Sequence, residues 1–186
     1  MKPIYVAIPT RDGQVLIHTV FELFSLGKML GRPLRFLIGE AGNIPRSRNL
    51  VMEQARTLAE PATMAWLLWI DSDILIPSGM HTHIAHAIRW AENSRRAWIA
   101  NYRSGDGLNV LIRERRATNV HYYSDGELDT LPPYASVGMG GLGCAYLPMN
   151  LSYTFHADVP GEDIHFFLDP PDLRVFYAKS VLVKHR

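Results

Sequence analysis

The chain has 186 residues, 47% of them hydrophobic and 20% charged, and its 19 Lys and Arg against 18 Asp and Glu leave a net charge of +1. That length suits one domain with a proper core, and near-neutrality excludes a general field for nucleic acid, so any phosphate recognition must come from local arrangement. The single cysteine, Cys144, excludes an intrachain disulfide, and no apolar run approaches the roughly 18 residues of a membrane span.

Pro3-Ile4-Tyr5-Val6-Ala7-Ile8-Pro9 is β-rich and stopped by a proline, which predicts a first strand, with a turn at Thr10-Arg11-Asp12-Gly13. Leu16, Val20, Leu23 and Leu30 recur at helical spacing and predict a helix from Gln14 to Leu30, weakened or ended by Gly27 and Gly31. Leu34 to Ile38 reads as a second strand and Glu40 to Pro45 as a loop. Leu50, Val51, Ala55, Leu58 and Ala59 give a second amphipathic helix, opened by Arg46-Ser47-Arg48-Asn49. Trp66-Leu67-Leu68-Trp69-Ile70 is an unbroken apolar run, the pattern of a strand buried on both faces. A helix carrying Met80, Ile84, Ala87, Ile88 and Ala91 follows, then a fourth strand from Ala97 to Tyr102.

Residues 1–103 therefore alternate strand and helix, which predicts an α/β fold with a mostly parallel central sheet and helices on both faces. Beyond Arg103 the pattern becomes mixed. Strands are expected over 108–112 and 120–123, on either side of the basic turn Arg113-Glu114-Arg115-Arg116. A glycine-rich apolar stretch covers 135–147, a short helix is expected near Glu162, and one or two closing strands lie between Arg174 and Val183. No repeat, low-complexity segment or long linker divides the chain, so 1–186 is read as one domain with a mixed second half from 104 to 186.

Asp71-Ser72-Asp73 follows the most buried-looking strand. Ligands of open α/β sheets bind beyond the carboxyl ends of such strands, and two carboxylates placed together call for a cation. The plainer reading is a helix cap and a solvated side chain. A phosphatase of the haloacid-dehalogenase kind also carries Asp-x-Asp, but after its first strand, whereas here the pair follows the third. Gly161-Glu162-Asp163 reads either as a helix start or as a general base, Asp163, for an attacking hydroxyl. Gly138 to Gly143 has neither the context of a dinucleotide fingerprint nor that of a phosphate loop. It fits a bulged strand or a backbone passing close to a ligand. Arg46 and Arg48 read first as a solvated opening turn of the helix, and otherwise as forked donors for a phosphate or carboxylate. His185 would complete a mixed nitrogen and oxygen ligand set with the acids, suited to manganese. His81, His83 and His86 do not share one helical face and read as a polar surface.

In their order along the chain, these pieces resemble the GT-A-fold nucleotide-sugar glycosyltransferases, in a compact, family-2-like version of the size of viral or microbial minimal enzymes. Ile8-Pro9-Thr10 is similar to the opening strand and donor-binding turn, with Pro9 and Thr10 at the donor. Glu40 takes the place of the acid near the base or ribose, although a run of Asp is more usual there. Arg48-Asn49 resembles the Arg-Asn pair near the donor, and Asp71-Ser72-Asp73 the Asp-x-Asp motif. Gly138 to Gly143 resembles the segment beside the acceptor, with Gly140 and Gly141 in the nucleotide-sugar set. Asp163 matches the base of inverting members and His185 the C-terminal metal-binding histidine.

The resemblance implies a nucleotide-donor half over 1–103 and an acceptor half over 104–186. It implies a cation, Mn2+ or Mg2+, held by Asp73 and His185, with Asp71 beside it steadying the donor. The implied partners are a nucleotide-diphosphate sugar and a glycan or glycoprotein acceptor. No nucleic acid is expected, peripheral membrane association is left open, and the N-terminus shows no signal pattern, so the expected location is cytoplasmic. Two other readings stand beside it: a nucleotidyltransferase, for which Pro9-Thr10-Arg11-Asp12-Gly13 is a poor loop, and a non-catalytic nucleotide- or carbohydrate-binding module.

Overall fold

A computed structural model describes residues 2–58, 65–103, 123–138, 140–151, 153–156 and 173–186. The strands expected over 108–112 and 120–123 (Tyr123 apart), the basic cluster from Arg113 to Arg116 and the helix expected near Glu162 lie outside those residues.

Strand β1 (Ile4–Thr10) leads to helix α1 (Ile17–Leu30), which buries Thr19, Leu23, Leu26 and Gly27. Gly27 does not end the helix. Gly31 does, in the left-handed conformation with φ 62°, which a glycine adopts without strain. Strand β2 (Leu34–Glu40) pairs in parallel with β1 and extends two residues past the expected end, so Glu40 closes the strand opposite Thr10. Helix α2 (Ile44–Leu58) begins earlier than its apolar periodicity suggested. Asn43 caps it by accepting the Arg46 amide at 2.9 Å, and Pro45 suits the first turn, where no amide donor is needed. Gly39 lies against α2 so closely that an added Cβ would meet the Ser47 backbone oxygen.

Strand β3 (Trp66–Ile70) and the two-residue strand β4 (Ile74–Leu75) flank the paired acids, and helix α3 (His81–Ser94) leads to β5 (Ala97–Arg103). Helix α4 (Asp125–Thr130) starts with a reciprocal cap between Ser124 and Glu127. The glycine-rich stretch resolves into β6 (Tyr134–Val137) and β7 (Cys144–Pro148), and a single long strand, β8 (Val175–His185), follows.

The eight strands form one sheet in the order β2-β1-β3-β7-β5-β8-β4, with β6 also on β8. The α/β expectation holds: β1, β2, β3, β5 and β8 share one direction, while β7, β4 and β6 run against it. The direct β3–β5 neighbourhood of a simple parallel run does not occur, because β7 lies antiparallel between them. Along β3, Leu67 and Trp69 join the core under α2, while Leu68 and Ile70 join the core under α1 and α3. Both faces of that strand are therefore dry, which is what its lack of polar alternation required.

Helices α1 and α3 are joined by Glu22. Its carboxylate accepts the amides of Gly79 and His81, each at 3.1 Å, and meets His81 Nδ1 at 2.8 Å. Burial opposes the charge, but these hydrogen bonds outweigh it and hold the Glu22 carboxyl below its ordinary value of 4.5. A depressed carboxyl stabilises the fold fully above its ordinary value, and that stability fades as pH falls through the lower, folded value. Thermal melts from pH 6 downward should thus show the wild-type advantage over Glu22→Gln shrinking below about pH 4.5; a constant difference would contradict the assignment.

Candidate functional site

The carboxyl end of β3 turns tightly, with the Ile74 amide bonded to the Asp71 carbonyl at 3.0 Å. This turn sends the two carboxylates to different places. Asp71 shares the side of Trp69, two residues earlier, and its Oδ1 accepts the Trp69 indole N–H at 2.9 Å. Its Oδ2 pairs with Arg48 Nη2 at 2.9 Å, with side-chain exposures of 16% and 6% that leave the pair almost dry. Arg48 also lies over the Phe155 ring at 5.4 Å. The neighbouring Asn49 bridges the same residue with both ends of its amide: Nδ2 donates to the Phe155 carbonyl at 2.8 Å and Oδ1 accepts the Phe155 amide at 2.7 Å. Arg48 and Asn49 thus clamp the segment after β7 onto α2 and β3.

Asp73 lies past the turn and faces the last strand. Its Oδ2 is 2.9 Å from His185 Nε2, its carbonyl accepts the Arg186 amide at 3.2 Å, and His185 stands opposite Ile74 in the β4–β8 register. The expected three-ligand set does not assemble. Asp73 and His185 meet, but Asp71 is engaged by Arg48 and Trp69, and among the described residues no group of three His, Cys, Asp or Glu is placed to hold a metal. Asp73 and His185 fit a cation as two ligands, a carboxylate oxygen and an imidazole nitrogen, both partly open to solvent. Such a pair would supply two of the ligands that Mg2+ or Mn2+ takes.

Beside this pair opens a cleft of about 560 Å³, lined by Arg11, Asp12, Gln14, Val15, Leu16, Ile17, Ile44, Ser72, Asp73, His185 and Arg186. That volume lies within the range of small-molecule sites. Arg11 and Arg186 line this cleft together with two acids, Asp12 and Asp73, and the His185 imidazole, so it carries charges of both signs. Sequence reasoning passed over both arginines. Arg11, directly after the first strand, carried a local signal, whereas Arg186 enters only through the β4–β8 pairing.

The other expected residues are distributed as follows. Thr10 is fully buried: its hydroxyl donates toward Asp12 Oδ1 and the Gln14 carbonyl at 3.3 Å, and its carbonyl accepts the Ser47 hydroxyl at 2.7 Å, so it shapes the turn under the cleft. Pro9 is buried in β1, and Glu40 is exposed beside Gly13. Gly140 and Gly141 are buried just before β7, and the Gly143 carbonyl accepts the Asp71 amide at 3.0 Å. Asp163 lies outside the described residues. Cys144 is buried, and burial together with the nearby Asp71 pushes its thiol well above the usual range, so it is a small core residue rather than a nucleophile. His83 and His86 are exposed as expected, while His81 is engaged with Glu22.

No family model and no curated protein sequence matches the chain. Solved structures do. The chain is similar to the viral protein A197 from STIV at 13% identity and a TM-score of 0.61, over 99% of this chain and 85% of that one. It is also similar to GalNAc-T7, solved with UDP, GalNAc and Mn2+, at 8% identity and a TM-score of 0.54, over 98% of this chain and 43% of that one. The chain thus spans less than half of GalNAc-T7. The fold is GT-A-like. At these identities the likeness concerns the fold and leaves the reaction to the site.

The Arg48–Asp71 pair makes a stability prediction. Removing one partner strands a nearly dry charge, so Arg48→Met should lose about 3 kcal/mol or more in urea unfolding. Adding Asp71→Asn should recover a substantial part. A double variant as unstable as the sum of the two single variants would show that the pair is not coupled.

Proposed function

We propose that the chain is a metal-dependent glycosyltransferase that moves a sugar from a nucleotide-diphosphate sugar to an acceptor hydroxyl with inversion. The observation that carries this reading is the Asp73–His185 contact of 2.9 Å at the rim of a 560 Å³ cleft that also holds Arg11 and Arg186. The GT-A-like fold supports it, as does the presence of UDP, GalNAc and Mn2+ in the GalNAc-T7 structure.

In this reading Asp73 and His185 hold Mn2+ or Mg2+. When bound, that cation neutralises charge developing on the diphosphate leaving group. Arg11 and Arg186 bind diphosphate oxygens from the sides of the cleft. Asp71 acts at one remove from the donor: by fixing Arg48 and Trp69 it keeps the floor beside the cleft rigid. Asp163 accepts the proton of the acceptor hydroxyl as that oxygen attacks the anomeric carbon from the face opposite the diphosphate, a role that rests on its place in the sequence alone. A glycan or glycoprotein is the proposed acceptor.

The test is release of nucleoside diphosphate from a panel of nucleotide sugars, with and without Mn2+. Asp73→Asn and His185→Ala should each lower metal-stimulated turnover by about 100-fold or more, and Asp163→Asn should abolish transfer while donor binding, followed by calorimetry, persists. Donor binding without turnover under any of these conditions would identify a binding module instead. Full transfer by Asp163→Asn would remove Asp163 from the mechanism.

A further inference from the structure

Strand β4 lies at the end of the sheet and is paired with β8 on one side. Its ladder holds two register pairs, Ile74 with His185 and Leu75 with Lys184. Just before it, the Asp73 carbonyl accepts the Arg186 amide at 3.2 Å. Peptide groups alternate sides along a strand, so the Ile74 carbonyl and the Ile76 amide face away from β8. On that side no further strand follows among the described residues. Ile74 and Ile76 are both fully buried, where an unpaired peptide group is costly.

A single side chain of α1 satisfies both groups. The Thr19 hydroxyl donates to the Ile74 carbonyl at 2.6 Å and accepts the Ile76 amide at 3.2 Å. Thr19 is itself fully buried, a polar side chain among Leu23, Leu26 and Gly27 on the packed side of the helix. Its hydroxyl takes the place of a neighbouring strand along the open edge of β4.

What this edge supports is the candidate site. Gln14 to Ile17 line the cleft at the start of α1, while Asp73, His185 and Arg186 line it from the two strands of the β4–β8 ladder and their ends. Helix α1 therefore borders the cleft with its first residues and, one step further along, holds β4 in place. The Asp73–His185 contact is partly exposed, and a pair screened by water does little to hold itself together. A ladder of two residues adds little more. The buried Thr19 bonds are the firmer support.

We propose that Thr19 is a positioning residue: by binding the open edge of β4 it keeps Asp73 and His185 in contact at the cleft. Its hold on β4 stands by itself, whereas the consequence for a cation rests on the metal-dependent reading. In that reading a carboxylate and an imidazole held in place bind the ion more tightly than a loose pair does. Glu22, one turn along α1, supplies the contrast. It accepts the amides of Gly79 and His81, beyond β4, and so ties α1 to α3 rather than to the ligand pair.

The experiment compares the full chain with four variants, by amide hydrogen exchange and by Mn2+ titration followed by electron paramagnetic resonance. Thr19→Val keeps the bulk and loses the hydroxyl, Thr19→Ala loses both, and Thr19→Ser keeps the hydroxyl. Glu22→Gln loosens the same helix elsewhere. Thr19→Val and Thr19→Ala should speed exchange of the Arg186 amide by about tenfold and weaken Mn2+ binding by about tenfold. Thr19→Ser and Glu22→Gln should match the wild type in both. Circular dichroism shows which variants are folded, and either hydroxyl-free variant suffices for the comparison. The inference is overturned by a folded hydroxyl-free variant that exchanges the Arg186 amide, or binds Mn2+, as the wild type does. A Thr19→Ser variant as impaired as Thr19→Val overturns it too, and so does a Glu22→Gln variant impaired as much, which would mark a general loosening of α1. A wild-type chain that binds no Mn2+ counts against the metal-dependent reading and not against the positioning, which the exchange rates then decide.

Discussion

The insertion of β7 between β3 and β5 is the constraint on which the rest of this structure depends. Tyr146 stands opposite Leu68 on one side and Trp98 on the other, and its ring stacks against Trp66 at 5.3 Å and Trp98 at 6.0 Å. Its hydroxyl donates to Glu92 at 2.8 Å, and Glu92 is paired with Arg32 at 2.7 Å. One side chain thus joins three neighbouring strands and, through Glu92 and Arg32, reaches α3 and the turn before β2. Without β7 the edge of β3 would have no partner on that side, and the five-residue run from Trp66 to Ile70 would leave backbone donors and acceptors unpaired in a dry core. The ends of β3 and β7 then define where the site can be, because the Asp71 amide is bonded to the Gly143 carbonyl.

From that point the chemistry is divided by one tight turn. Residues two apart on a strand share a face, so Trp69 and Asp71 point together toward α2, where Arg48 awaits. The turn then reverses the exposure of the next acid, and Asp73 meets His185 at a solvent-facing rim. A nearly dry ion pair is costly to break and adds geometric definition more than net stability. The Asp73–His185 contact, with side chains about half exposed, is the opposite case: water screens it, and it adds little to stability. The two acids of one short motif therefore stand in different surroundings, Asp71 in a nearly dry ion pair and Asp73 at the solvent-facing cleft rim.

The start of α1 borders the cleft through Ile17. Arg11, Arg186, Asp12 and Asp73 gather charges of both signs at the cleft, a local arrangement that the net charge of the chain does not reveal. The fold is common to proteins with different substrates, and the site residues, not the sheet order, carry the functional argument.

Much of this was already determined by the sequence. Alternating strand and helix periodicities in the first half determined β1, α1, β2, α2, β3, α3 and β5. The unbroken Trp66–Ile70 run announced a strand dry on both faces, Gly27 and Gly31 announced an end of α1 without saying which of them supplies it, and Asp71 and Asp73 announced the end of that strand. These are local signals, written in the spacing of apolar residues and in backbone preferences that neighbours barely modify. Tertiary structure alone decided that β7 separates β3 from β5, that Ile74 and Leu75 form a strand against β8, and that Asp71 faces Arg48 while Asp73 faces His185. It also decided that Asn49 holds Phe155 across 106 positions and that Arg186 joins Arg11 in one cleft. Each of these is a pairing between distant segments, and a short polar or glycine-rich stretch leaves its partner unspecified until the whole sheet has closed around it.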